Sequence, residues 1–177
     1  MKRLTVVIGK TFSGKLSFLE NEMKNYHKVK THTTRPVRET ESGNEYYFEK
    51  YNDYVGKRYR GETLSVREYR TVYGMWAYWF EKDDLIDGRN VMILDLTGAK
   101  ELEKNKDDDM SIDYIYINTS IKDIKKRIRN SDRGKTESRD ETSRRLKSDI
   151  REHRVLDSLS LKSGVVDITG LIQTGRI

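Results

Sequence analysis

Apolar residues gather in short runs, separated by longer mixed stretches, along the 177 residues. Residues 4–8, Leu4-Thr5-Val6-Val7-Ile8, are rich in β-branched side chains and predict a buried strand. Leu16, Phe18, Leu19 and Met23 then recur at helical spacing and predict a helix over 14–25. A second short strand is expected at 28–31. The chain's one proline, Pro36, interrupts regular structure in the segment 32–38. From 39 to 71, Tyr, Arg, Glu and Gly dominate in short alternating pieces, which predicts a small strand-rich insertion. A helix is expected over 76–86, with Trp76 and Trp79 packing along it. The run 90–95, NVMILD, is the clearest buried strand and ends in the carboxylate of Asp95. A helix at 99–105, a strand at 113–118 and a helix to 129 capped by Thr119 or Ser120 follow. Residues 130–140 are polar and lack apolar periodicity, which predicts a loop or lid. A long helix at 141–156, carrying Leu146, Ile150 and Val155, and a strand at 164–168 complete the pattern.

Strands alternating with helices predict an α/β fold: a parallel sheet covered on both faces. Ligands in such sheets bind beyond the carboxyl ends of the strands. There is no internal repeat and no low-complexity tract.

Composition narrows the class. Charged residues make up 36% of the chain and hydrophobic ones 34%, which predicts a soluble protein. Without cysteine there is neither a disulfide framework nor a thiolate metal site. No apolar run is long enough to cross a bilayer, and the chain enters a strand at once; both fit a cytoplasmic protein. The net charge of +6 suits an anionic partner. The basic residues, however, fall in three clusters, and the cluster at 122–154 is interleaved with acids. That is the pattern of solvated helix faces and argues against nucleic acid.

The stretch directly behind the first strand, Gly9-Lys10-Thr11-Phe12-Ser13-Gly14-Lys15-Leu16-Ser17, carries the candidate chemistry. Gly9, Gly14 and Lys15 have P-loop spacing, with a strand before and a helix after. A loop with little side-chain bulk lets successive backbone N–H groups converge on one anion. The following helix directs its positive end to the same point, and Lys15 adds a mobile full charge. ATP is the expected ligand, held by Gly9, Thr11, Ser13, Gly14, Lys15, Leu16 and Ser17. Two residues depart from the pattern. Leu16 stands where a hydroxyl for Mg²⁺ is usual, leaving Ser17, one place on, as the metal-side hydroxyl, and Phe12 stands where small residues are usual.

Further motifs follow in order: Thr31-His32-Thr33-Thr34-Arg35-Pro36-Val37-Arg38, then Gly43-Asn44-Glu45-Tyr46-Tyr47-Phe48, then Tyr73-Gly74, then Asp95, then arginines at 127, 133 and 144–145. Together with the P-loop they resemble the guanylate kinase family over nearly the whole chain. The resemblance implies a P-loop three-layer α/β fold with a parallel core sheet, a monophosphate-binding insertion and a lid. Its parts are core 1–34, insertion 35–79, core 80–129, lid 130–140 and core 141–177. It implies transfer of the γ-phosphoryl group of Mg²⁺-ATP to GMP, dGMP or a broader set of (deoxy)nucleoside monophosphates, and it admits a homodimer. Arg35, Arg38, Tyr46 and Tyr73 would clamp the monophosphate. Lys15, Arg35, Arg127, Arg133 and Arg145 would neutralise the transferring phosphoryl group. Thr31, Ser65, Met75 and Asp95 would line the base.

The base half departs from the family. Ser65 stands where a guanine-binding glutamate is expected, and Met75 where a Ser or Thr is expected; Glu68 or Glu62 would substitute after a slip of register. Guanylate-kinase-like domains also serve as interaction modules that have lost catalysis, and Phe12 and Leu16 keep that alternative open.

Overall fold

The computed structural model describes residues 1–39, 41–131 and 139–177, the side chains of 139–141 excepted. The five-stranded main sheet has the order β2-β7-β1-β8-β9: β1 (Lys2–Ile8), β2 (His27–Lys28), β7 (Gly88–Ile93), β8 (Met110–Asn118) and β9 (Gly164–Asp167). β1 lies at its centre, parallel to both β7 and β8. That position explains its unbroken apolar run. Leu4, Val6 and Ile8 enter the larger core while Val7 enters the smaller one on the other face. β8 alternates, sending Met110, Ile112, Tyr114 and Tyr116 into the larger core. The last strand departs from the all-parallel expectation, because β9 pairs antiparallel with β8 at the sheet edge.

The second sheet is four-stranded, β4-β3-β6-β5, and is built from β3 (His32–Thr33), β4 (Tyr47–Phe48), β5 (Thr63–Thr71) and β6 (Gly74–Glu81). Its core is small: Tyr54, Ala77 and Trp79, with Val66 against them. Tyr54 comes from α2 (Tyr51–Tyr59), a helix absent from the sequence expectation.

The helix expected at 76–86 is the strand β6. A dense run such as Trp76-Ala77-Tyr78-Trp79-Phe80 satisfies helical and strand periods equally. Pairing decided it: β6 is antiparallel to β5 from Thr71↔Gly74 to Thr63↔Glu81, and to β3 on its other side. Trp76 and Trp79 are therefore not neighbours on a helix. Trp79 is buried against Tyr54, whereas Trp76 stacks on Tyr73.

The remaining helices lie in the expected order. α1 (Lys15–Asn21) is shorter than its apolar spacing suggests. α3 (Leu96–Asn105) starts under an N-cap by Asp95, and α4 (Ile121–Asn130) under an N-cap by Ser120. The expected long helix is two: α5 (Arg139–Glu152) and α6 (Arg154–Ser158), broken at His153. The break turns Leu146 and Leu156 inward and leaves Ile150 and Val155 exposed. A five-residue α7 (Thr169–Gln173) follows the last strand. Among the described residues no helix is long and apolar enough to cross a membrane.

Candidate active site

Two cavities open beyond the carboxyl ends of β1 and β7. The first is the P-loop. Gly9 leaves β1 packed so closely that a Cβ there would lie 2.6 Å from the Ser13 Oγ. Gly14 holds φ 103° at the start of α1, a conformation that disfavours any side chain. Residues 11–17 and Arg127 line a cavity of about 510 Å³, which includes Thr11, Ser13, Leu16 and Ser17.

Lys15 is folded back on its own loop: its Nζ donates to the carbonyls of Gly9 (2.6 Å) and Lys10 (2.8 Å). Arg127, on α4, reaches the loop from the other side and donates to the Ser13 carbonyl at 2.6 Å and the Phe12 carbonyl at 3.2 Å. The Ser13 Oγ is buried without a hydrogen-bond partner, and a group in that state is expected to gain one on ligand binding. Phe12 sits at φ 56°, a left-handed backbone unusual for an aromatic residue. Beneath the loop the buried Lys10 Nζ donates to the Tyr116 hydroxyl (2.8 Å) and to Asp157 (2.6 Å). His153 stacks on Tyr116, and burial, with Lys10 nearby, holds its pKa down to about 4.

One carboxylate enters this cationic setting. Asp149, on α5, accepts the backbone N–H of Thr11, a donor that a nucleotide phosphate would use. Burial pushes its carboxyl above the usual range.

The second cavity, about 760 Å³, lies between the two sheets. Of the residues expected there, Thr31, Arg35, Arg38, Tyr46, Ser65, Asp95 and Arg145 line it. Arg35 is only 4% exposed and rests over the rings of Tyr46 and Phe48, at 5.4 and 5.6 Å. Its guanidinium makes a two-point pair with Glu41, at 2.7 and 3.0 Å. Glu41 also accepts the Arg38 backbone N–H. The Arg35 bonds hold the Glu41 carboxyl below its ordinary pKa. A carboxylate thus occupies the fork that a phosphate would take.

Tyr73 and Met75 are not among the lining residues. Tyr73 is 82% exposed at the tip of the β5–β6 hairpin, because the turn falls at residues 72–73 and carries it away from the sheet body. Tyr78, further along β6, lines the cavity instead and faces Tyr46 and Tyr69 edge-on. Ser65 lies in the irregular stretch of β5 between Leu64 and Arg67, at φ 50°, and its hydroxyl donates to the Gly98 carbonyl at 2.9 Å. Neither acidic substitute is available. Glu68 faces away and pairs with Arg58 and Tyr54, and Glu62 pairs with Arg60. Asp95 accepts the Gly98 N–H through Oδ1 (2.6 Å) and the Arg67 Nε through Oδ2 (3.0 Å). Arg133 and most of the expected lid lie outside the described residues.

Sequence reasoning missed Arg67, Tyr69, Tyr78 and Glu41. The period of two along β5 and β6 could have found the first three once those strands were recognised. Glu41 had no local signal.

A third cluster lies apart from both cavities. His32 is sandwiched by Glu49, Glu81 and Asp84, and the Lys57 ammonium bridges Glu49 and Glu81 at 2.8 and 2.7 Å. Three of these residues, His32, Glu49 and Glu81, have metal-ligand spacing, but the Lys57 ammonium already bridges the two carboxylates.

No protein-family model matches this chain, and no curated protein does. Among solved structures it is similar to the guanylate kinase from Anaplasma phagocytophilum, with a TM-score of 0.55 and 20% identity, over 89% of this chain and 73% of that one. The fold is thus the mixed α/β P-loop fold of the guanylate kinases.

Proposed function

We propose that this protein is a nucleoside monophosphate kinase, transferring the γ-phosphoryl group of ATP to GMP, dGMP or a broader set of (deoxy)nucleoside monophosphates. One observation carries the reading. Two cavities with arginine or lysine side chains in their walls are joined by a single turn of α5, with Asp149 on the P-loop and Arg145, four residues earlier, on the second cavity. Such a layout suits two phosphorylated ligands meeting end to end. The guanylate kinase fold supports the same class.

In this reading ATP lies along the P-loop. Lys15 releases the Gly9 and Lys10 carbonyls and turns to the outer phosphates, which Arg127 approaches from α4. Arg35, Arg38 and Tyr46 hold the acceptor phosphate, and Arg145 stands between the two. An oxygen of the monophosphate attacks the γ-phosphorus, the bond to the β–γ bridging oxygen breaks, and ADP leaves. The protein's work is positioning and charge neutralisation. Thr31, Ser65 and Asp95 belong to the base end.

The loop offers the hydroxyl oxygens of Thr11, Ser13 and Ser17 and no sulfur or imidazole, a donor set that suits a hard cation arriving on ATP. Ser17 would hold Mg²⁺, which when bound supplies charge neutralisation at the outer phosphates.

An ADP-release assay across the common ribo- and deoxynucleoside monophosphates tests the reading. Turnover that needs Mg²⁺ and falls by ~10² or more in Lys15→Ala is expected. A folded protein inert toward every monophosphate would leave the interaction-module alternative, which the left-handed Phe12 in the loop favours.

A further inference from the structure

The base end of the second cavity presents a donor beside an acceptor. Arg67 gives its Nε to Asp95 Oδ2 at 3.0 Å, and both side chains are 31% exposed. Arg67 lines the cavity, and beyond its engaged Nε the guanidinium carries two terminal nitrogens with four further N–H groups. Asp95 Oδ1 accepts the Gly98 N–H and keeps a second lone pair, while Oδ2 accepts the Arg67 Nε and, at a long 3.5 Å, the Tyr69 hydroxyl. The Tyr69 ring flanks the guanidinium at 5.7 Å and lines the same wall. Among the described residues Glu41 is the cavity's other carboxylate, and Arg35 holds it at the phosphate end. The Ser65 hydrogen is spent on the Gly98 carbonyl.

We infer that the Arg67–Asp95 pair reads the lactam edge of the acceptor base, a carbonyl next to an imino N–H, and so accepts guanine, hypoxanthine, uracil and thymine while rejecting adenine and cytosine. This rests on the monophosphate-kinase reading and names its substrate class. The carbonyl oxygen accepts from Arg67 and the adjacent N–H donates to Asp95. Adenine and cytosine present the reverse order, an amine next to a bare ring nitrogen. Their amine sets N–H against the guanidinium and their ring nitrogen sets a lone pair against the carboxylate. A polar site that the bound base covers and leaves unpaired in this way discriminates far better than an apolar one. Among the described residues no second carboxylate stands at this end for the 2-amino group of guanine, so that group adds little.

Equilibrium titration of the full chain with GMP, IMP, UMP, dTMP, AMP and CMP tests this. GMP, IMP, UMP and dTMP are expected to bind within about ten-fold of one another, and AMP and CMP about 10²-fold more weakly. Arg67→Met keeps the side-chain stem and is expected to weaken the lactam nucleotides by about 10-fold or more while AMP, freed of the opposed guanidinium, binds as tightly or more tightly. Asp95→Asn keeps the N-cap of α3 and supplies an N–H, so it is expected to shift the preference toward AMP and CMP. Monophosphates that bind and turn over without this ordering, or GMP alone being accepted, would overturn the inference and leave the kinase reading standing. Binding of none of the six would overturn both.

Discussion

At the scale of single residues, both cavities already hold a carboxylate of the chain itself against a donor. Arg35 is gripped on two points by Glu41, and the Thr11 N–H by Asp149. A bound phosphate exchanges with a charge that is present, so part of its attraction offsets a lost ion pair. Arg38 differs, since the bond it makes to Glu41 comes from its backbone N–H and its side chain stays at the exposed rim. Arg38→Ala is therefore the cleaner probe of the acceptor site. It is expected to weaken the monophosphate about 10-fold, the loss of one charge-assisted bond, and to leave ATP affinity unchanged. Separate titrations of the two nucleotides check this; equal weakening of both would place Arg38 elsewhere. Serine at position 65 is likewise more than a missing glutamate. It is buried, left-handed and bonded to Gly98, so its hydroxyl hydrogen is already engaged, and the inferred reading of the base falls to Arg67.

At the scale of elements, the β5–β6 hairpin decides which tyrosine serves the site. Tyr73 rides the exposed tip and Tyr78 lines the cavity. Tyr78→Phe is expected to weaken the monophosphate several-fold, one hydroxyl's worth, and Tyr73→Ser to leave it unaltered; the opposite pattern in binding titrations would return the role to the hairpin tip. The small sheet also carries a pH-dependent tie. His32 joins β3 to Glu49, Glu81 and the short turn at Asp84, with Lys57 alongside. Burial opposes the imidazolium, but the bonds to Asp84 and Glu49 outweigh it and raise the pKa above 6.5. The sign follows from proton counts. Below 6.5 both folded and unfolded chains are protonated and the contribution is complete. As pH rises the unfolded chain loses its proton first, so stability falls until the folded pKa is passed. His153 acts oppositely: its pKa of about 4 makes stability decline as pH falls from 6.5 toward that value. Urea unfolding from pH 5 to 9 is expected to show the alkaline decline in wild type and lose it in His32→Gln. A decline unchanged in the variant would assign it to another group.

At the scale of the whole molecule, α5 links the two cavities, since it carries both Asp149, bonded to the Thr11 N–H, and Arg145; on the proposed reading ATP would displace Asp149. Asp149→Asn removes a charge that opposes the triphosphate. It is expected to tighten ATP about five-fold, the ~1 kcal/mol of two unit charges ~4 Å apart in water. It should also reduce the effect of a non-hydrolysable ATP analogue on monophosphate affinity. Unchanged ATP affinity and unchanged coupling would show that the carboxylate does not compete. Much of this architecture was legible in the chain. The β-branched run before Gly9, the Gly9–Gly14–Lys15 spacing and the strand ending at Asp95 are local patterns, fixed by side-chain period and backbone freedom, and they gave the core order and the P-loop. The aromatic run 75–80 was not legible, because it fits a helix or a strand alone and only its pairing with β3 and β5 chose between them. The same choice moved Tyr73 out of the cavity and brought in Tyr78. The Arg35–Glu41, Arg67–Asp95 and Asp149–Thr11 contacts join residues 6, 28 and 138 positions apart. Periodicity says nothing about such pairs; they exist because packing brings polar and charged groups together partly out of water, where a partner is worth more than it is in full solvent.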